Sequence, residues 1–194
     1  MKLTSSFYQR KDVVLIAREL IGKVLHVNAP EGYTSGRIVE TEAYSFKERA
    51  CHAYNNRRTS RTETLFADGG TAYVYLCYGI HKLFNVVTNR EGVAEAVLIR
   101  AIEPLNNIDL MRQRRNKQTD IQLTSGPGKL SEALGIGMEH DANDLTGEEI
   151  WITDDGFECH DIVIASRIGV DYAAEDAGLP WRFFLSENKY VSVR

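Results

Sequence analysis

Two glutamates and a tyrosine alternate along the segment 39–44. If this segment is a strand, Glu40, Glu42 and Tyr44 share one face, because alternate residues of a strand point to the same side. Two carboxylates are unfavourable on a buried face, so one of them should be solvated, bonded to an arginine or used in chemistry. A glutamate beside an aromatic ring can hold a water as a general base. The other interpretation of the pair is a solvent-facing strand edge.

A second group of candidate residues is aromatic. Tyr73, Tyr75 and Tyr78 lie in a predicted hairpin whose tip, residues 78–81, carries tyrosine and isoleucine in place of the usual Asn-Gly or Asp-Gly. A large side chain at such a turn is either folded back onto the core or presented to a partner. Proteins that distort duplex DNA insert an apolar wedge of this kind between bases.

The basic residues form two clusters, one in a polar segment and one in the second half of a predicted helix. They comprise Arg57, Arg58 and Arg61, and Arg112, Arg114, Arg115 and Lys117. Charge clusters are commonly solvated faces. Two of them flanking an aromatic hairpin fit a phosphate backbone better.

Arg100 ends the apolar run 97–99. A buried arginine is almost always paired, and Glu40, Glu42 and Glu103 are the candidate partners. The arrangement is either a structural ion pair or an arginine that shares a water or a phosphate with Glu42.

The sequence contains no recognisable motif for binding a metal or a cofactor. The histidines lack ligand spacing, and His26, between two apolar residues, is expected to be structural. The three cysteines have no C-x-x-C spacing, which argues against a zinc site or a disulfide framework and for a reducing compartment. P-loop, G-x-G-x-x-G and G-x-S-x-G motifs are absent. We therefore expect no cofactor and no metal.

Length and composition set the outer limits. The chain has 194 residues, of which 43% are hydrophobic and 26% charged, so it is long and apolar enough for one domain over residues 1–194 and is not disordered. It has no apolar run of transmembrane length and no secretory signal, so neither a membrane location nor secretion is expected. The net charge of −4 is a mild argument against nucleic acid, although an average can hide a local patch.

Periodicity predicts the elements that would position these residues. A helix is expected over 13–21, with Asp12 as its N-cap, and two more over 106–118 and from a Ser125 cap to residue 134. Strands are expected at 23–27, 34–44, 71–77, 82–88, 94–101, 150–153, 161–164, 183–185 and 190–193.

The strands at 71–77 and 82–88 are close enough to form a hairpin, whereas residues 45–70 have no periodicity and are expected to be functional. The fold class is therefore α+β. We expect a single domain with a curved, mostly antiparallel sheet, surrounding helices and a protruding β-hairpin.

Several stretches, taken in order, form a longer pattern. They are GRIVETEAY at 36–44, His52, TAYVYLCYG at 71–79, FNV at 84–86, VLIRAIEP at 97–104, SGPGKL at 125–130, RIGV at 167–170 and PWRF at 180–183. Together they resemble the 3-methyladenine (alkyladenine) DNA glycosylase family. The match is collinear, covers nearly the whole chain and is more specific than any single motif.

The resemblance implies a base-excision repair enzyme. Members of the family extrude alkylated or deaminated purines from duplex DNA and hydrolyse the N-glycosidic bond. Departure of the base leaves positive charge on the sugar, which one carboxylate can stabilise while it activates a water. A monofunctional enzyme that leaves an abasic site uncut is therefore expected.

The resemblance also implies roles at the centre of the site. Glu42 matches the general base, which holds the attacking water together with Arg100 and the backbone carbonyl of Ile168. The extruded base would lie between Tyr75 on one face and Tyr44 with His52 on the other.

Further roles concern recognition. Tyr78 would fill the gap in the base stack, and Asn85 would crowd the exocyclic amine of guanine. Arg57, Thr59 and Arg61 match positions that contact phosphates. The chain departs from the pattern at residue 80, an isoleucine where the family often has methionine.

Two other functions stay open at this point. One is a non-catalytic nucleic-acid-binding module on the same fold, and the other is a hydrolase of free nucleosides or nucleotides. For the glycosylase we expect a monomer that binds double-stranded DNA containing damaged purines. It would be cytoplasmic and nucleoid-associated in a bacterium, or nuclear in a eukaryote.

Overall fold

An eight-stranded sheet is the frame of the structure, a computed structural model that describes residues 1–117 and 119–193. Its strands are β1 (Val24–Ala29), β2 (Gly32–Ser45), β3 (Ala72–Cys77), β4 (His81–Val87), β5 (Glu95–Asn106), β6 (Ile150–Thr153), β7 (Ile162–Ala165) and β8 (Arg182–Leu185). The main order is β3-β4-β5-β2-β1-β6, and β8 pairs with both β2 and β7. The strand pairs of the described residues are antiparallel, which confirms the α+β prediction.

Five α-helices accompany the sheet within the described residues. They are α1 (Ser5–Tyr8), α2 (Val13–Leu20), α3 (Ile108–Arg115), α4 (Ile121–Thr124) and α5 (Pro127–Leu134), and short 3-10 turns occur at Tyr54–Asn56, Glu63–Phe66, Met138–His140 and Asp171–Gly178. Helix α2 packs on β2 and β5, and α5 packs on β4 and β5. None of the helices in the described ranges has the length and apolar character needed to span a membrane.

The ends of the helices follow local chemistry. The Asp12 side chain accepts a hydrogen bond from the Leu15 amide, as predicted for an N-cap. Helix α5 is capped by Gly126 and not by Ser125, because Ser125 pairs with Ala101 in an isolated bridge.

Helix α3 is shorter than the predicted 106–118. Residue 106 belongs to β5, and residue 118 lies outside the described residues. Asn107 and Asn116 flank the helix with left-handed φ values of 59° and 49°, which stop a right-handed helix at both ends.

The strand predicted at 190–193 is wrong. The backbone there bonds to buried charged side chains instead of to a neighbouring strand. The Ser192 amide donates to Glu40 at 2.7 Å, and the Val193 carbonyl accepts from Arg182 at 2.8 Å.

Candidate active site

A cavity of about 570 Å³ opens beside the tip of the β3–β4 hairpin. Strands β2 to β5 supply part of its wall, and the loops near residues 50–61 and 168–172, the hairpin tip, Leu65 and Pro127 supply the rest. Among the residues singled out from the sequence, its lining includes Tyr44, His52, Arg61, Tyr75, Tyr78, Asn85, Arg100 and Ile168. Most of the predicted site residues, which are scattered along the chain, are therefore brought together.

Glu42 lies behind this wall and is fully buried. Its Oε2 accepts from the Tyr44 hydroxyl at 2.7 Å and from Arg100 Nη1 at 3.2 Å, and its Oε1 accepts from the Ile168 amide at 2.7 Å. All three donors line the cavity, although Glu42 itself does not. The contact from Ile168 is made by its amide, so a water-holding role for its carbonyl stays a prediction.

Glu40 is equally buried, so the solvent-facing interpretation of the pair is wrong. Its Oε1 accepts from Arg100 Nε at 3.1 Å and from Arg182 Nη1 at 2.9 Å. Arg100 therefore bridges Glu40 and Glu42, and two of its three candidate partners are confirmed. Within the described residues, Glu103 makes no ion pair with it.

The donors to Glu42 keep their protons around neutral pH. Burial raises the pKa of Tyr44 well above its usual value, and the charge of Glu42 raises it further. Burial alone would lower the pKa of Arg100, but Glu42 and Glu40 outweigh burial and raise it. The carboxylate of Glu42 therefore faces a protonated phenol and a charged guanidinium.

His52 and Tyr75 form one wall of the cavity. Their rings meet edge to face with centroids 4.6 Å apart. The prediction that they lie on opposite faces of the same base is therefore wrong, because no base fits between rings in contact. The Tyr73 hydroxyl lies 3.1 Å from His52 Nδ1. Burial, with a contribution from the charge of Arg61, lowers the pKa of His52 to about 4, so its ring is neutral at physiological pH.

The hairpin tip presents apolar side chains to solvent. Tyr78 is 92% exposed and Ile80 is 71% exposed, so Tyr78 is not folded back onto the core. Tyr78 and Gly79 have φ values of 51° and 74°, and the Ile80 amide donates to the Cys77 carbonyl at 3.1 Å. A bulky residue with positive φ is rare, so the turn holds the ring outward at some conformational cost.

The two basic clusters differ in the structure. Arg57 and Arg61 are exposed and make no ion pair within the described part of the chain, whereas Arg58 pairs with Glu63. Arg61 lies at the cavity, with its guanidinium 5.6 Å from the Tyr75 ring centroid. The first cluster therefore leaves Arg57 and Arg61 unpaired, and of these two Arg61 lines the cavity.

The second cluster is largely neutralised. Arg112 pairs with two aspartates, Arg114 with Glu31, and Arg115 with Glu132. These pairs hold α3 to neighbouring segments and favour the solvated-face interpretation of this cluster over contact with a phosphate backbone.

Two other predicted recognition residues have defined partners. Asn85 is buried at the cavity wall and donates through Nδ2 to the Tyr73 carbonyl at 3.1 Å. Thr59 is exposed, does not line the cavity, and has its hydroxyl 3.2 Å from the Thr62 hydroxyl.

Sequence reasoning assigned no role to several neighbours of the site. Tyr172 lines the cavity and is 67% exposed, and Arg167 and Glu48 form a buried pair behind Tyr44. The sequence feature that could have pointed to this pair is the position of Arg167 directly before Ile168, a predicted site residue. No group of three or more potential metal ligands occurs among residues 1–117 and 119–193.

Comparison with known proteins finds a family model and relatives that match nearly the whole chain. The family model described as methylpurine-DNA glycosylase matches residues 6–189. A relative from Desulfitobacterium hafniense, assigned as a 3-methyladenine DNA glycosylase, is 45% identical over 100% of this chain and 99% of its own length. Relatives assigned in the same way from Clostridium acetobutylicum and Chlamydia felis are 46% and 45% identical, over 98% and 100% of their own lengths.

These matches extend along essentially the whole chain and identify a DNA-repair enzyme, a DNA glycosylase that acts as a hydrolase. The chain belongs to the methylpurine-DNA glycosylase family.

The neutral state of His52 has a consequence for acid stability. Its pKa is about 4 in the folded protein and about 6.5 in an unfolded chain, so between these values the unfolded state binds the extra proton. Stability is therefore lost as the pH falls through this window. We expect His52→Gln to reduce the fall in urea midpoint between about pH 7 and pH 4. The exposed His160→Gln is the control, and equal pH dependence in wild type and His52→Gln would contradict the assignment.

Proposed function

We propose that this glycosylase is monofunctional, with its single domain spanning residues 1–194. It extrudes alkylated or deaminated purines from duplex DNA and hydrolyses the N-glycosidic bond with a water activated by Glu42, leaving an uncut abasic site. The observation that carries the proposal is a fully buried carboxylate, held by three donors, directly behind a ring-walled cavity. We further propose that it works as a monomer.

The contacts of Glu42 leave one acceptor position unused among the described residues. A carboxylate offers about four acceptor positions, and Tyr44, Arg100 and Ile168 use three of them. A water donating to the fourth would point its lone pair at the anomeric carbon of an extruded nucleotide. As the base departs, the negative charge also stabilises the positive charge on the sugar.

The cavity walls fit a flat and cationic base. With His52 and Tyr75 on one side, Tyr44 is the candidate for the opposite face, which replaces the arrangement expected from the sequence. Aromatic faces attract a cation, and His52 is neutral and therefore does not repel one. A purine methylated at N3 or N7 is already positively charged, so it leaves as a neutral base without a general acid, whereas a neutral lesion such as hypoxanthine needs a proton on its ring nitrogen as it departs.

The remaining roles concern discrimination against normal bases and contacts to the DNA. Asn85, tied to the sheet by its amide nitrogen, would crowd the exocyclic amine of guanine. Tyr78 would occupy the space that the extruded nucleotide leaves in the stack. Arg57, Thr59 and Arg61 would contact phosphates near that nucleotide.

The first experiment tests the chemical step. Duplex DNA containing one hypoxanthine or ethenoadenine is incubated with excess protein and then treated with alkali, which breaks the strand only at an abasic site. We expect breaks with the wild type and, for Glu42→Gln, a single-turnover rate lower by roughly 10²–10⁴-fold with lesion binding retained.

Glu139→Gln, at an exposed carboxylate outside the cavity lining, should behave as the wild type. No strand break with the wild type would favour the binding module. Activity on free nucleosides instead of duplex DNA would favour the nucleoside hydrolase.

The second experiment tests the wedge. Tyr78→Ser should weaken binding to the lesion duplex by roughly 10- to 100-fold, because base–aromatic stacking contributes about 1–3 kcal/mol. The single-turnover rate at saturating protein should stay close to that of the wild type. Ile121→Ser, another exposed apolar residue, is the control. Loss of the chemical step in Tyr78→Ser would mean that Tyr78 acts in catalysis.

The third experiment separates the basic clusters by their salt dependence. Replacing both Arg57 and Arg61 by glutamine should reduce the slope of log K against log salt by about 2, since each phosphate contact contributes about 0.9. Arg115→Gln should leave the slope unchanged because Glu132 already neutralises Arg115. A larger slope change for Arg115→Gln than for the double variant would reverse the assignment.

A further inference from the structure

A buried ion pair stands directly behind the proposed base-binding wall. The Arg167 side chain is 0% exposed and that of Glu48 is 3% exposed, and neither residue lines the cavity. Arg167 Nη1 and Nη2 donate to the two carboxylate oxygens of Glu48 at 2.8 and 2.9 Å. The remaining hydrogens of these nitrogens go to the carbonyls of Ala43 at 3.0 Å and Asp176 at 3.1 Å.

This pair touches two of the three donors that hold Glu42. The Arg167 guanidinium lies 4.8 Å from the centroid of the Tyr44 ring, whose hydroxyl bonds to Glu42. Arg167 also directly precedes Ile168, whose amide is the second donor. The third donor, Arg100, is held separately by Glu40.

We propose that Arg167, fixed by Glu48, is a positioning residue of the active site that sets both the Tyr44 ring and the Ile168 amide against Glu42. The pair also keeps the surroundings of Glu42 electrically balanced, because Glu48 cancels the charge of Arg167. This inference rests on the proposed function of Glu42.

The charged groups around Glu42 and Arg167 determine how a change in the Arg167–Glu48 pair would act on the charge of Glu42. Around Glu42 stand Tyr44 and Glu40 on its own strand, Arg100 on β5, Arg182 on β8, and Arg167 beyond the Tyr44 ring. The residues that face Arg167 are Glu48, Tyr44, Trp181 and Asp176, and Cys51 also lies within electrostatic range. Burial opposes the charge of Arg167, but the hydrogen bond to Glu48 and the charges of Glu48, Tyr44 and Glu42 outweigh burial and raise its pKa.

Opposite substitutions within the pair test the proposal. Glu48→Gln leaves an unbalanced positive charge, which favours ionised Glu42 and should move the acid limb of the pH–rate profile down by roughly one pH unit. Arg167→Met leaves an unbalanced negative charge and should move that limb up by a similar amount. Arg167→Lys keeps the charge but loses the two-pronged contact, so the limb should stay in place while the rate falls.

The measurement is the single-turnover rate at saturating protein on a duplex with one 7-methylguanine, whose departure needs no acid. Thermal melting identifies variants that do not fold. If Arg167→Met does not fold, Glu48→Gln and Arg167→Lys carry the test. The control is Glu19→Gln, which breaks the Arg10–Glu19 pair away from the cavity.

If the pair has a purely structural role, Glu48→Gln and Arg167→Met should both lower stability, and the acid limbs of their pH–rate profiles should not move in opposite directions. Limbs that stay in place or move together overturn the inference, provided that the wild type excises 7-methylguanine. Absence of excision by the wild type would instead overturn the proposed function.

Discussion

The negative charge of Glu42, buried without any contact to bulk water, is the constraint on which the site depends. A buried carboxylate is tolerated only when donors replace its hydration. Here the donors come from three separate segments, as a phenol on β2, a guanidinium on β5 and an amide near residue 168. Folding of this region therefore also assembles the candidate catalytic group.

The residues that contact Glu42 are themselves buried and need polar partners of their own. Arg100 needs a second partner and has Glu40, and Glu40 in turn is satisfied by Arg182. On the other side, Arg167 and Glu48 support the Tyr44 ring. Removing one member of such a network leaves an uncompensated buried charge, which typically costs about 3–5 kcal/mol. Each member of the network is therefore needed to keep its neighbours paired where the chemistry would take place.

Much of this arrangement follows from local sequence patterns. Alternation along 39–44 correctly put Glu40 and Glu42 on one face, and Asp12 was identified as a cap because its chemistry is local. The α+β class followed from many short strand-like runs and few helical ones.

The errors and the alternatives left open occurred where distant residues decide the outcome. The position of His52 against Tyr75 depends on an aperiodic loop, and the pairing of Arg114 depends on Glu31, 83 positions away. Likewise, the partners of the 190–193 backbone are side chains from remote strands. Periodicity within a segment contains no information about such pairings.

The neutralised second cluster has a consequence for how the protein would search DNA. Of the two clusters, only the first leaves arginines unpaired among the described residues, and Arg61 lies at the cavity, so a duplex bound there would meet the face that carries the hairpin. A protein attracted through one side approaches in a preferred orientation and inspects one strand as it slides. To inspect the complementary strand it must let go and turn around, so short dissociations belong to an efficient search.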